Sequence, residues 1–131
     1  MVKPKMNQLI LLVFLFAFAA CNTGRQTLSP EETRFRKELA EECGCEVTLA
    51  PDEYALQNDN STGTFKVSFI NSSVYYCESD SAELARISGN IARRLAVIMS
   101  NKKNYSNVEF TFMQISKEEI TCTRHIMVRR P

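Results

Sequence analysis

Five cysteines and one histidine are the residues of this 131-residue chain whose types and spacing could support metal or redox chemistry. Cys43 and Cys45 flank Gly44, and Cys122 lies three residues before His125. Thiolate and imidazole groups at such close spacing are ligands that zinc or copper accepts. One interpretation is therefore a metal-handling or thiol-redox protein, with the following residues as candidates: Cys43, Cys45, Cys77, Cys122 and His125.

Two features of the sequence argue against that interpretation. If residues 120–129 form a regular strand, the odd separation between Cys122 and His125 sends their side chains to opposite faces of the sheet. The chain has no Cys-x-x-Cys motif, and Cys43-Gly44-Cys45 lacks the helix N-terminus that would lower a thiol pKa. We therefore assign no metal ligands and expect no cofactor.

The sequence also lacks the usual motifs of hydrolytic enzymes. A chain with one histidine cannot contain His-Glu-x-x-His, and no Gly-x-Ser-x-Gly elbow accompanies His125. The adjacent acids Asp52-Glu53 and Glu118-Glu119 lie in polar segments, where solvated loop residues are the usual explanation. We assign no catalytic residues and expect that the protein is not an enzyme.

The amino-terminal segment has the pattern of an export signal. Lys3 and Lys5 precede an apolar run from Leu9 to Ala19, whose 11 residues fall well short of the roughly 20 that span a bilayer. Small residues then precede Cys21. Ordinary signal-peptidase cleavage is one alternative, because Ala17-Phe18-Ala19 satisfies its small-x-small requirement.

Residues 1–21 resemble the signal of bacterial lipoproteins, in which small residues precede a cysteine that becomes the lipidated first residue. Phe18 departs from the aliphatic residue usual in that family. The resemblance implies that Cys21 carries several acyl chains, palmitate among them, and anchors the protein in a bacterial envelope membrane. Asn22 stands where inner-membrane lipoproteins often have Asp, which favours the outer membrane.

Lipidation of Cys21 would leave an even set of four cysteines, as expected of a small exported domain stabilised by disulfides. Four cysteines allow three connectivities. A bond between Cys43 and Cys45 would close a very tight ring. We therefore expect Cys43 and Cys45 to be bonded separately to Cys77 and Cys122.

Three parts of the chain follow: a signal peptide (1–20), a lipidated cysteine with a polar tether (21–28) and a single small domain (29–131). The domain begins with a helix, since Ser29-Pro30 and Glu32 form a capping box and Gly44 supplies a stop. Its buried face is a single apolar stripe of residues four positions apart: Phe35, Leu39 and Cys43.

A second helix is predicted from about Ser81 to Asn101, where apolar residues recur every three or four positions. Asp80 and Glu83 fit an acidic variant of the capping box at its start.

Alternating apolar residues predict strands over 45–50, 64–70, about 108–112 and 120–129. Residues 74–77 either continue the second strand or return beside it as a hairpin. This order predicts a two-layer α+β domain, in which two helices cover one face of an antiparallel sheet of about four to five strands.

Charge is unevenly distributed along a chain whose formal net charge is +1. Residues 31–59 contain nine acids and three bases, whereas residues 86–130 contain nine bases and three acids. Mutual neutralisation of these two segments in the fold is the favoured explanation. The alternative is that Arg86, Arg93 and Arg94 form a basic interaction face on the second helix. Because no aromatic residues interleave with them and the protein is expected to be exported, we do not expect a nucleic-acid partner.

These features favour a lipid-anchored envelope protein that binds a protein partner or assists assembly. An alternative within the same class is an inhibitor or immunity protein that blocks a toxin or a lytic enzyme. One tight copurifying partner would distinguish that alternative from a general scaffold. The metal-handling or thiol-redox protein is the alternative from a different class.

Overall fold

A computed structural model describes residues 28–51, 63–75 and 77–131. Over these residues the chain is an α+β domain with two α-helices and a four-stranded sheet. The signal peptide, Cys21 and residues 52–62, between the first two predicted strands, lie outside the described residues. In chain order the elements are α1 (Pro30–Cys43), β1 (Glu46–Ala50), β2 (Gly63–Ile70), α2 (Ser81–Ile98), a 3₁₀ turn (Lys102–Asn104), β3 (Tyr105–Ser116) and β4 (Glu119–Arg129).

Helix α1 has both ends where the sequence predicts them. The backbone N–H of Glu32 donates to Ser29 Oγ at 3.1 Å, and the N–H of Ser29 donates to Glu32 Oε1 at 3.1 Å, which completes the capping box. Gly44 ends the helix in the left-handed region (φ 55°, ψ 40°), which favours glycine. The predicted apolar stripe is confirmed, because these residues are buried: Phe35, Leu39 and Cys43.

Helix α2 begins at the predicted cap and ends slightly early. Asp80 Oδ1 accepts from the backbone N–H groups of Ala82 (2.7 Å) and Glu83 (3.2 Å). The Glu83 side chain pairs with Arg86 and does not reach back to the cap, so only half of the predicted capping box forms. The helix ends at Ile98, and the chain continues through the 3₁₀ turn into β3.

The sheet has the order β1-β2-β3-β4 and is mixed. Two neighbouring pairs, β1–β2 and β3–β4, are antiparallel as expected, but the central pair β2–β3 is parallel. The uniformly antiparallel sheet was therefore a wrong expectation. Because α2 carries the chain back across the sheet between β2 and β3, both strands run in the same direction, as in a βαβ unit.

Both helices share one core with a single face of the sheet. Alternate residues of β2 and β3 pack in register, with Phe65 beside Val108 and Phe69 beside Phe112. The Phe69 ring stacks on Phe112 with centroids 5.3 Å apart and meets Tyr75 edge-on at 5.4 Å. The aromatic contacts therefore join the sheet to the segment that follows β2.

That segment comprises residues 71–80, of which 71–75 and 77–80 are described. These residues form bends and turns, so they neither extend β2 nor return beside it as a hairpin. Asn71 donates its N–H to the Met113 carbonyl at 2.9 Å, and its side-chain Oδ1 accepts from the Ile115 N–H at 2.8 Å. Gln114 Nε2 donates to the Ser72 carbonyl at 3.2 Å. Neighbouring strand residues thus hold the loop at its first turn.

Candidate functional site

The four cysteines of the domain form two disulfides, but not with the connectivity that the sequence analysis favours. Cys43 bonds to Cys45, with their Cα atoms 5.2 Å apart, and Cys77 bonds to Cys122, with Cα atoms 6.1 Å apart. The expectation that Cys43 and Cys45 bond separately to the other two cysteines is wrong. The left-handed Gly44 folds the chain back so that the Cys45 N–H donates to the Ala40 carbonyl at 3.2 Å, which brings Cys45 beside the helix end.

The surroundings of these disulfides do not favour metal or redox chemistry. Cys43 is fully buried at the C-terminus of α1, where the helix dipole disfavours a thiolate. Cys122 and His125 lie on opposite faces of β4, as predicted. No group of three or more potential ligands is close enough to hold a metal ion within the part of the chain that the structure describes.

The predicted basic face of α2 is largely occupied by internal contacts. Arg86 forms a two-point contact with Glu83, and Arg93 bonds to the side-chain oxygen of Asn90. Arg94 reaches from α2 to α1, where its guanidinium makes two hydrogen bonds to Glu42 (2.7 and 2.9 Å) and lies 5.3 Å from the centre of the Phe35 ring. Arg86 and Arg94 are therefore neutralised by carboxylates, and Arg94 joins the two helices.

The Glu42–Arg94 contact makes the free energy of unfolding depend on pH. The hydrogen bonds from Arg94 lower the pKa of Glu42 below its ordinary value of 4.5, so the pair stabilises the fold above that pH. This contribution disappears as the pH falls through the lowered pKa. Both side chains are 41% exposed, so we expect about 0.5 kcal/mol. Urea unfolding at pH 7 and pH 3 should show that Glu42→Gln is more destabilising at pH 7 than at pH 3, and Glu41→Gln, at an exposed neighbouring position, serves as the control.

The sheet face turned away from the helices, which we call the open face, carries exposed and half-buried side chains. No described element packs against it. The strand register places its residues in three rows across β1, β2, β3 and β4: Glu46, Ile70, Met113 and Thr123; Thr48, Ser68, Thr111 and His125; Ala50, Lys66, Glu109 and Met127.

The middle row of the open face consists of three hydroxyl side chains and the imidazole of His125. Thr111 Oγ1 lies 3.1 Å from His125 Nδ1, and Glu109 Oε1 lies 3.5 Å from the same nitrogen. A nucleophile–base–acid relay needs the hydroxyl and the carboxylate on different ring nitrogens. The cluster therefore differs from such a relay and orients the ring along the sheet surface.

Apolar side chains flank this polar row. Ile70 and Met113 lie half-buried in one neighbouring row, and Met127 lies 56% exposed in the other. Ile120, at the start of β4, is 62% exposed. The open face is therefore a mixed surface, with a polar middle row and apolar side chains on either side of it.

Two arginines that the sequence analysis did not identify contact neutral oxygens: Arg124 of β4 and Arg130, just after β4. Arg124 donates to the Ser79 carbonyl at 3.2 Å and to Ser81 Oγ at 2.7 Å. Arg130 Nε donates to the Tyr105 carbonyl at 2.7 Å. The excess of bases in residues 86–130 was the available signal, but sequence does not show which arginines find carboxylates.

Comparison with known proteins finds no family model, no curated protein and no solved structure that matches this chain. Of the helices in the described ranges, none combines the length and the apolar composition needed to cross a bilayer.

Proposed function

We propose that this protein is a small lipid-anchored envelope protein of bacteria. Its two-layer α+β domain binds a protein partner through the open face. The observation that carries the proposal is the open face itself, a four-stranded surface of mixed polar and apolar side chains that no described element covers. The signal-like residues 1–21 support the anchor, through Cys21, and the outer membrane is the proposed location.

The disulfides support a binding role over the metal-handling or thiol-redox alternative. Oxidised Cys43, Cys45, Cys77 and Cys122 offer no thiolate to a metal ion. The bond between Cys77 and Cys122 instead ties the loop before α2 to β4. It therefore supports a fixed shape for the sheet and its surface.

Site-specific photocrosslinking in the native membrane tests this function. A photoreactive residue is placed at Lys66 or Thr123 on the open face, and the control places it at Val97, which is 82% exposed on α2. We expect one defined crosslinked species from both open-face positions and none from Val97. Ser68→Arg, in the middle row, should abolish the species without changing the unfolding midpoint. Crosslinking from Val97 alone, or from no position, would contradict the proposal.

A further inference from the structure

The outer edge of β4 offers unpaired backbone groups. Among the described residues β4 pairs only with β3, and it is an edge strand of 11 residues. The Arg130 N–H donates to the Ser106 carbonyl at 2.8 Å, which fixes the alternation: even-numbered residues of β4 bond to β3, and odd-numbered residues face outward. The backbone groups directed away from β3 belong to Thr123, His125, Met127 and Arg129.

The same edge carries positive charge without a described counter-charge. The ion pairs of the described residues involve Arg86, Arg94 and His125, so none neutralises Arg124, Arg129 or Arg130. Residues 120–131 contain no acid. This differs from α2, where two arginines already have carboxylate partners. Arg124 and Arg129 of β4, and Arg130 just after it, therefore have no carboxylate partner among the described residues.

The outward backbone groups and the positive charge of the β4 edge together indicate what kind of chain would bind there. A second copy of the chain would bring three further arginines to the same strand, and charged edge strands are a common means of preventing self-association. An extended segment with carboxylates meets the same arginines with opposite charge. Added strands obtain affinity from backbone hydrogen bonds and specificity from side chains.

We propose that the outer edge of β4 binds an extended acidic segment of a protein partner as a fifth strand of the sheet. The ladder bonds come from the four outward-facing residues. Because Arg124 and Arg129 project from opposite faces of β4, the carboxylates lie on both faces of the added strand, near Arg124 at one end and near Arg129 and Arg130 at the other. About 20 Å of strand separates these ends, at ~3.3 Å per residue. The proposal rests on the proposed function, because it describes how a protein partner would extend from the open face onto the edge.

Binding of defined peptides to the mature domain, with its disulfides intact, tests the proposal. The probe is a ten-residue peptide in which pairs of Glu alternate with pairs of Thr or Val, so that both faces of the added strand carry carboxylates. The matched control has Lys in place of Glu. We expect the acidic peptide to slow backbone amide exchange at Thr123, His125, Met127 and Arg129 while the exchange of even-numbered β4 residues is unchanged. The Lys peptide should have no effect, and binding of the acidic peptide should weaken as salt is added.

Two substitutions separate the backbone and charge contributions. Met127→Pro removes an outward N–H that the internal ladder does not use, as proline does on edge strands, and should weaken binding at least about tenfold. Arg129→Glu should weaken it about tenfold at low salt. Lys103→Glu makes the same charge change in the 3₁₀ turn and should leave binding within about twofold. If Met127→Pro fails to fold, Arg129→Glu with its control still decides the result.

Three results would overturn the proposal: no slowed exchange with the acidic peptide at millimolar concentration, equal binding of the Lys peptide, or concentration-dependent dimerisation that Met127→Pro removes. Each concerns β4 alone. Crosslinks from Lys66 that survive such a result would leave the open face as a partner surface, so the failure of the edge proposal is distinguishable from failure of the proposed function.

Discussion

Replacing both Cys77 and Cys122 with alanine should lower the free energy of unfolding by about 4 kcal/mol, whereas replacing both Cys43 and Cys45 should lower it by about 1.5 kcal/mol. The reason is the length of chain that each bond closes. Cys77 and Cys122 are separated by 45 positions, and Cys43 and Cys45 by 2. A longer closed loop restricts the unfolded chain more strongly.

The two double variants form a matched pair. Each removes one fully buried and one half-buried sulfur, so the packing losses are similar and the difference between the variants reports loop closure. Urea unfolding measures both free energies. Equal losses would contradict the pairing, because with Cys43 and Cys45 bonded separately to Cys77 and Cys122 each double variant would break both bonds. Peptide mapping of the unreduced protein gives an independent answer.

The sequence predicted the helices and the buried strand faces because their determinants are local. Ser29 and Glu32 satisfy the backbone donors of their own helix, and Asp80 does the same for α2. Strand residues such as Phe65 and Phe110 alternate with polar neighbours because successive side chains point to opposite faces. These rules need only a few adjacent residues.

Two other features do not follow from the local pattern of apolar and polar residues. The parallel β2–β3 pair arises because α2 returns the chain to the end of the sheet where β2 begins, which alternation does not encode. The Cys43–Cys45 bond depends on the left-handed conformation of Gly44, which brings the two residues together. Sequence identified Gly44 as a helix stop, but not the ring that this turn permits.

The candidate site shows the same division. Arg86, Arg93 and Arg94 were identified from their spacing on a helix, yet Glu42, 52 positions earlier, neutralises Arg94. The open face required the register of four strands before its rows could be assembled, since Thr48 and His125 lie in one row but far apart in sequence. Tertiary contacts thus decide which predicted basic residues are neutralised: among the described residues Arg94 has a carboxylate partner from α1, whereas Arg124 and Arg129 of β4 have none.

Acylation of Cys21, which lies outside the described residues, should anchor the protein in the membrane. We expect the wild-type protein to fractionate with membranes and to have an intact mass that begins at an acylated Cys21. Each acyl chain contributes ~0.8 kcal/mol per buried CH₂, so several chains together make spontaneous release negligible. Cys21→Ser should remove the whole acyl mass. Its membrane fractionation alone is not decisive, because an uncleaved apolar leader also holds a protein at the bilayer.

A second variant therefore replaces residues 1–21 with a leader cut by the ordinary signal peptidase. This variant should appear in the soluble exported fraction with the same two disulfides and the same unfolding midpoint as the wild type, because both disulfides and the capping box at Ser29 lie outside the replaced segment. A wild-type mass that lacks acyl groups and begins after Ala19 would contradict the anchor. In that case Cys21 would be a fifth, unpaired cysteine in an oxidising compartment, and a disulfide between the Cys21 residues of two copies of the chain would become the explanation to test.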